Sequence, residues 1–127
     1  MWAVIPFKRI QRAKQRLAPI LSIQGLKRAF ADSGAKIVAV TPIVGGAAIK
    51  GPAAKNLSEL GYPVSATTVA KHYKGLIHGF VLDKRDREET KQIEKLGIAV
   101  LVAETIMNDL ETKIQLAEKT LQFAKSI

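Results

Sequence analysis

Two adjacent glycines, a lysine four residues on and a Gly-Pro step stand together in Thr41-Pro42-Ile43-Val44-Gly45-Gly46-Ala47-Ala48-Ile49-Lys50-Gly51-Pro52. Glycines adopt positive φ at no steric cost and let the backbone approach a ligand closely, while lysine adds a cation. The free N–H groups of a helix that starts just beyond favour an anion. The chemistry these residue types offer is phosphate binding by Gly45, Gly46, Lys50 and Gly51. The same residues also suit a plain strand-to-helix turn without a ligand, and residue types alone leave both readings open.

A second cationic feature lies upstream. Residues 1–31 contain Lys8, Arg9, Arg12, Lys14, Arg16, Lys27 and Arg28 and no acid, so they carry +7 of the chain's net charge of +9. Such a cluster attracts a polyphosphate ligand, nucleic acid or an anionic membrane surface. Phe7 is the one aromatic interleaved with the basic residues after the first strand, and no helix-turn-helix or zinc-finger spacing occurs. This argues against base-specific recognition and leaves salt-sensitive polyanion adhesion. Lys8, Lys14 and Arg16 are the members best placed to join the glycine segment around one phosphate.

Other chemistry is sparse. The two histidines, His72 and His78, lack carboxylate or histidine partners at zinc-site spacing and read as loop or surface residues. Asp83, Asp86 and Glu104 offer oxygens to a magnesium ion beside a phosphate, with Asp83 the leading metal candidate. Asp83 equally suits the cap of a following helix. No serine or threonine sits in a nucleophile-elbow pattern. Lys84-Arg85-Asp86-Arg87-Glu88-Glu89 reads as a solvated helix face.

The elements that must position these residues follow from hydrophobic runs and their breakers. Strands are expected at Trp2–Pro6, Ile37–Val40, Tyr62–Ser65, Gly79–Leu82 and Ile98–Val102, the last apolar throughout as in a parallel sheet. Helices are expected from Ser22 to Ser33, from Pro52 to Leu60, and from Thr67 to Lys74. Two more are expected at Arg85–Leu96 and at Asn108–Lys125, the last an amphipathic helix with Leu110, Ile114, Ala117, Leu121 and Ala124 on one face. This alternation predicts one α/β domain over residues 1–127: a three-layer, doubly wound, Rossmann-like fold with a mostly parallel sheet of about five strands. Ligands of such sheets bind at the strands' carboxyl ends, where Lys8–Arg16, Gly45–Gly51, Asp83 and Glu104-Thr105 all fall.

With 127 residues and 47% hydrophobic content, a single core is expected. The absence of cysteine excludes disulfides, thiolate metal sites and a cysteine nucleophile, and a cytoplasmic location is expected. Met1-Trp2-Ala3-Val4-Ile5-Pro6 lacks a signal-peptide pattern, and no apolar run approaches the roughly 20 residues that span a bilayer.

From about Ala18 to Ile127 the chain resembles the C-terminal part of the 2-phospho-L-lactate transferase family. The resemblance rests on Pro19-Ile20-Leu21-Ser22-Ile23-Gln24-Gly25-Leu26 and on Val38-Ala39-Val40-Thr41-Pro42-Ile43-Val44-Gly45-Gly46 with Ile49-Lys50-Gly51-Pro52-Ala53. It continues through Leu60-Gly61, Val64-Ser65, Val69-Ala70-Lys71-His72-Tyr73, Gly79-Phe80-Val81-Leu82-Asp83, Leu96-Gly97-Ile98 and Thr105-Ile106-Met107. Residues 1–19 are similar instead to the amino terminus of 2-phospho-L-lactate guanylyltransferase. Met1-Trp2-Ala3-Val4-Ile5-Pro6-Phe7-Lys8 and Ala13-Lys14-Gln15-Arg16-Leu17-Ala18-Pro19 carry that likeness, with Gln15 where a small hydroxyl residue is usual. The chain thus resembles a chimera joined near Ala18-Pro19-Ile20-Leu21-Ser22.

The resemblance implies transfer of a 2-phospholactyl group from a guanosine-diphosphate-activated donor to a deazaflavin, with magnesium, in coenzyme F-420 biosynthesis. In that family the amino-terminal part supplies the acidic catalytic residues, which this chain lacks, so it implies no catalytic residues here and little turnover. What it leaves is weak guanine-nucleotide or phosphate binding. The alternative is a non-catalytic α/β scaffold whose open surfaces form a homo-oligomer.

Overall fold

Four apolar segments become the parallel strands of one sheet. The computed structural model describes residues 2–5, 25–48 and 53–127. In chain order these form β1 (Trp2–Ile5), α1 (Leu26–Asp32), β2 (Lys36–Val40), β3 (Ile43–Val44), β4 (Ala47–Ala48), α2 (Ala53–Glu59) and α3 (Ala66–His72). They continue as β5 (Gly79–Asp83), a 3-10 segment (Lys84–Glu89), α4 (Thr90–Glu94), β6 (Ala99–Ala103) and α5 (Leu110–Ser126). The sheet has the order β1-β2-β5-β6, all parallel, with Val38 beside Gly79 and Val81 beside Leu101.

Period-two alternation assigns the two faces of the sheet. Ile37 and Ala39 of β2 and Phe80 and Leu82 of β5 point to one side. There they pack with Ala53 of α2, Ala66, Val69 and Ala70 of α3 and Ile93 of α4, and Phe30 of α1 lies against the same cluster. Val38, Val81 and Ala103 point to the other side, onto Leu116 and Ala124 of α5. Helices therefore cover both faces, giving the expected three-layer parallel α/β fold. Strand order advances steadily across the sheet, so the described strands contain no reversal to create the crevice of a doubly wound sheet.

Among the described residues the sheet has four strands rather than about five. Tyr62–Ser65 forms no strand, because β2 pairs directly with β5 and leaves no slot between them. Pro63 has no N–H for a ladder, and Ser65 serves as N-cap of α3, its hydroxyl accepting from Thr68 N–H at 3.1 Å. The expected helix at Arg85–Leu96 is divided. Asp86, at φ −106° and ψ 19°, interrupts helical geometry inside the 3-10 segment, and a regular α-helix begins only at Thr90.

The C-terminal helix forms where expected but buries a different stripe. Leu116, Thr120 and Ala124 face the sheet, whereas Leu110, Ile114 and Leu121 are exposed. Close approach at the sheet explains part of this choice. Gly79 opens β5 beneath α5, and a Cβ there would lie 2.7 Å from Phe123 Cε1 and 2.9 Å from Ile127 Cδ1. Gly79→Ala is expected to lower stability in urea unfolding by about 1 kcal/mol, and Phe123→Leu in the same chain to recover most of it.

Candidate functional site

Described residues capable of chemistry collect at the carboxyl end of the sheet, and their local structure begins at Thr41. Its N–H donates to Val81 O at 2.8 Å, and its hydroxyl donates to Ile43 O at 2.7 Å and accepts from Ile43 N–H at 3.2 Å. This fastens the chain as it leaves β2 and aims it into β3. Ile43 pairs with Ala48 and Val44 with Ala47, so the glycines form the tip of a two-residue hairpin rather than a pliable loop running into a helix. Gly45 at φ 60° and Gly46 at φ 76° have the two positive φ values of a type I′ turn, which demands such residues.

The tip is held by an acid. Gly45 N–H donates to both carboxylate oxygens of Asp86, at 2.9 and 3.1 Å, across 41 residues of sequence. A carboxylate thus occupies the position an anionic ligand would take at this N–H. Gly46 is needed for its backbone angle and not for space, since a Cβ there would meet only Val64 O at 3.9 Å. Lys8, Lys14, Arg16, Lys50 and Gly51, the other members of the expected phosphate site, lie outside the described residues.

Asp83 ends β5 with a side chain that is fully buried. Its Oδ1 accepts from Arg85 N–H at 2.9 Å, which caps the 3-10 segment. Its Oδ2 accepts from Thr105 N–H at 2.9 Å and Thr105 Oγ1 at 2.7 Å, which ties the end of β5 to the chain leaving β6. Burial alone would raise its pKa. The donors from Arg85 and Thr105, helped by the Arg85 charge, outweigh burial and hold the carboxyl below its ordinary value. Of the two readings open for Asp83, the cap is the one its neighbours describe.

The other acids are also engaged. Glu89 Oε2 accepts from Thr67 N–H at 2.7 Å and from the Thr67 hydroxyl, closing the start of α3. Glu104 pairs with Lys84 at 3.1 Å on the surface. No group of three or more acidic or histidine side chains that could hold a metal ion occurs among the described residues. Asp83 has both carboxylate oxygens engaged by protein donors, so the described residues do not fit a magnesium site. His72 and His78 are exposed, as expected. His72 stacks edge-on to Tyr73, and His78 Nδ1 accepts from Ile37 N–H at 3.0 Å at the opposite, amino end of the sheet.

Sequence reasoning did not single out Thr41, Thr67 or Glu89, and it placed Thr105 at a strand's carboxyl end without its link to Asp83. The spacing Asp83-Lys84-Arg85 signals a cap, but its link to Thr105 spans 22 residues and has no local signature.

No family model matches the chain. Over most of its length the chain is similar to 2-phospho-L-lactate transferases. It is 38% identical to that of Methanocaldococcus jannaschii over 111 residues, 87% of this chain and 34% of the relative. It is 40% identical to that of Methanococcus maripaludis over 110 residues, again 87% of this chain and 34% of the relative. A phosphoenolpyruvate transferase of Streptomyces coelicolor is 32% identical over 112 residues, 87% of this chain and 35% of the relative. The chain spans about a third of the length of these curated relatives. Among the described residues no helix is long and apolar enough to cross a membrane.

Proposed function

We propose that this chain is a partial relative of the 2-phospho-L-lactate transferases that retains weak binding of guanine nucleotide or phosphate. The similarity along 87% of the chain to transferases carries this reading. Their names, with phosphoenolpyruvate transferase, denote groups bearing both phosphate and carboxylate, for which cations at a parallel sheet's carboxyl end are suited. Lys8, Lys14 and Arg16 of the guanylyltransferase-like residues 1–19 would supply charge. Gly45, Gly46, Lys50 and Gly51 of the transferase-like remainder would shape the cradle. A nucleotide phosphate would displace Asp86 from Gly45 N–H or bind beside it at the lysines, and any magnesium would arrive on the nucleotide's own oxygens.

The test is charge removal. Lys14→Ala and Lys50→Ala should each weaken GDP binding about fivefold in calorimetric titration, the worth of one charged phosphate contact. Unchanged affinity in both variants would mean that these segments hold no nucleotide. A second reading, a non-catalytic scaffold that self-associates, is favoured by the apolar stripe left open on α5.

A further inference from the structure

The hairpin β3–β4 ends in a backbone donor that its own ladder does not use. Val44 and Ala47 close the two-residue turn, which leaves Gly45 N–H outside the ladder on a tip where both glycines are exposed. Asp86 fills this donor with both carboxylate oxygens, at 2.9 and 3.1 Å, from the 3-10 segment that leaves β5. A contact this exposed is weak in water and can be exchanged for another anion. We propose that Asp86 is a built-in competitor at the tip: it excludes carboxylate ligands and gives way to a phosphate, which Gly45 N–H and the flanking Arg85 and Arg87 then hold.

Tethering sets the threshold. A carboxylate carried on the same chain competes as though present at millimolar concentration or above. A free carboxylate offers the tip the same single charge and the same pair of oxygens, so it gains nothing by the exchange. A phosphate brings more negative charge and a third oxygen, so it can accept from Gly45 N–H and reach a guanidinium as well. The cations stand on either side of Asp86. Arg85 gives its N–H to Asp83 Oδ1, which pins its backbone at the end of β5, while its exposed guanidinium closes no ion pair among the described residues. Arg87, also exposed, donates from Nε to Lys84 O at 3.3 Å. Each adjoins Asp86, with Cα atoms about 3.8 Å apart, within the swing of a long side chain. Lys84 by contrast is engaged by Glu104 at 3.1 Å. On a ligand bearing both a phosphate and a carboxylate, the phosphate is therefore the end that seats at Gly45. This selection rests on the anion-binding reading given above, and it places the selecting group and two of the cations inside the described fold.

Amide NMR of the isotope-labelled full chain reads the tip through the Gly45 resonance, with inorganic phosphate and acetate as probes at mildly alkaline pH and constant ionic strength. In the parent protein, phosphate should shift this resonance saturably and acetate should leave it in place. Asp86→Asn keeps an oxygen for Gly45 N–H but loses the charge. Phosphate should then bind about tenfold tighter, since both competition and repulsion end, and acetate should begin to shift Gly45. Arg85→Gln leaves the Asp83 cap intact, because only the Arg85 backbone makes it, and should weaken phosphate about fivefold in either background. Circular dichroism confirms that each variant folds. A Gly45 resonance indifferent to phosphate in Asp86→Asn, an affinity unchanged by that substitution, or acetate acting on the parent as phosphate does would each overturn the proposal. Calorimetry with GDP separates it from the nucleotide reading. GDP binding with a motionless Gly45 resonance removes the competitor role and leaves nucleotide binding, whereas a phosphate response at Gly45 without guanine preference does the reverse.

Discussion

Asp83→Ala is expected to lower the free energy of unfolding by about 3 kcal/mol in urea denaturation at neutral pH. The substitution strands Arg85 N–H, Thr105 N–H and the Thr105 hydroxyl around a site that excludes water, and only the hydroxyl can turn to another acceptor. Asp83→Asn should recover little. An amide presents one oxygen and one NH2, whichever way it is turned, so one side of the group faces a donor with a donor. Thr105→Val, which removes a single donor and leaves the carboxylate, should cost about 1 kcal/mol. The loss has a pH signature. Asp83 has its carboxyl held below the ordinary 3.8, so its stabilisation is fully present above that pH. It is lost as the pH falls through the lower folded-state value. The parent protein should therefore lose stability below about pH 4 more steeply than Asp83→Ala, with the two curves converging in acid.

Phe80→Ala should be at least as damaging, at about 4 kcal/mol by the same measurement. Phe80 is fully buried on the central strand β5, in the cluster that joins Ile37 and Ala39 of the neighbouring strand to α3 and α4. Truncation leaves a cavity that two packed layers cannot close, because β5 is fixed by ladders on both sides. Phe80→Leu, which retains most of the volume, should cost roughly 1 kcal/mol. Losses of this size are large beside the 5–15 kcal/mol typical of a folded domain, so both alanine variants should unfold at markedly lower temperature.

These two positions also show what could be read from the sequence. Phe80 lies in a short apolar run bounded by Gly79 and Asp83, and such runs announced β2, β5 and β6 because buried parallel strands are apolar on both faces. Gly34 and Gly97, with positive φ, follow α1 and α4 next to the helix ends expected at Ser33 and Leu96. The segment at Gly45-Gly46 was harder. Its two glycines and Lys50 have the composition of a phosphate loop, but Ile43-Val44 and Ala47-Ala48 around a two-residue Gly-Gly centre are also the pattern of a tight hairpin. The hairpin forms because Thr41 fixes its entry and Asp86 its tip, and the second contact joins residues too distant for any local pattern to show.

The C-terminal helix was legible in its extent but not in the strip it buries. Residues 110, 114, 117 and 121 keep helical spacing as well as 116, 120 and 124 do, so periodicity cannot say which strip the sheet takes. Shape decides it: Phe123 and Ile127 fit over the missing side chain of Gly79, and that contact turns Leu116 and Ala124 onto Val38 and Val81. The basic residues upstream lie outside the described residues, so the proposed binding of a phosphate-bearing ligand is supported by the similarity to transferases.

Calorimetric titration of GDP and GTP with magnesium, at low and at physiological salt and with ATP as control, tests the proposed function most directly. Saturable binding that prefers guanine and survives the higher salt is the expected result. Heat that is absent, or that disappears with salt and ignores the base, would contradict it and leave a basic α/β scaffold that adheres to polyanions.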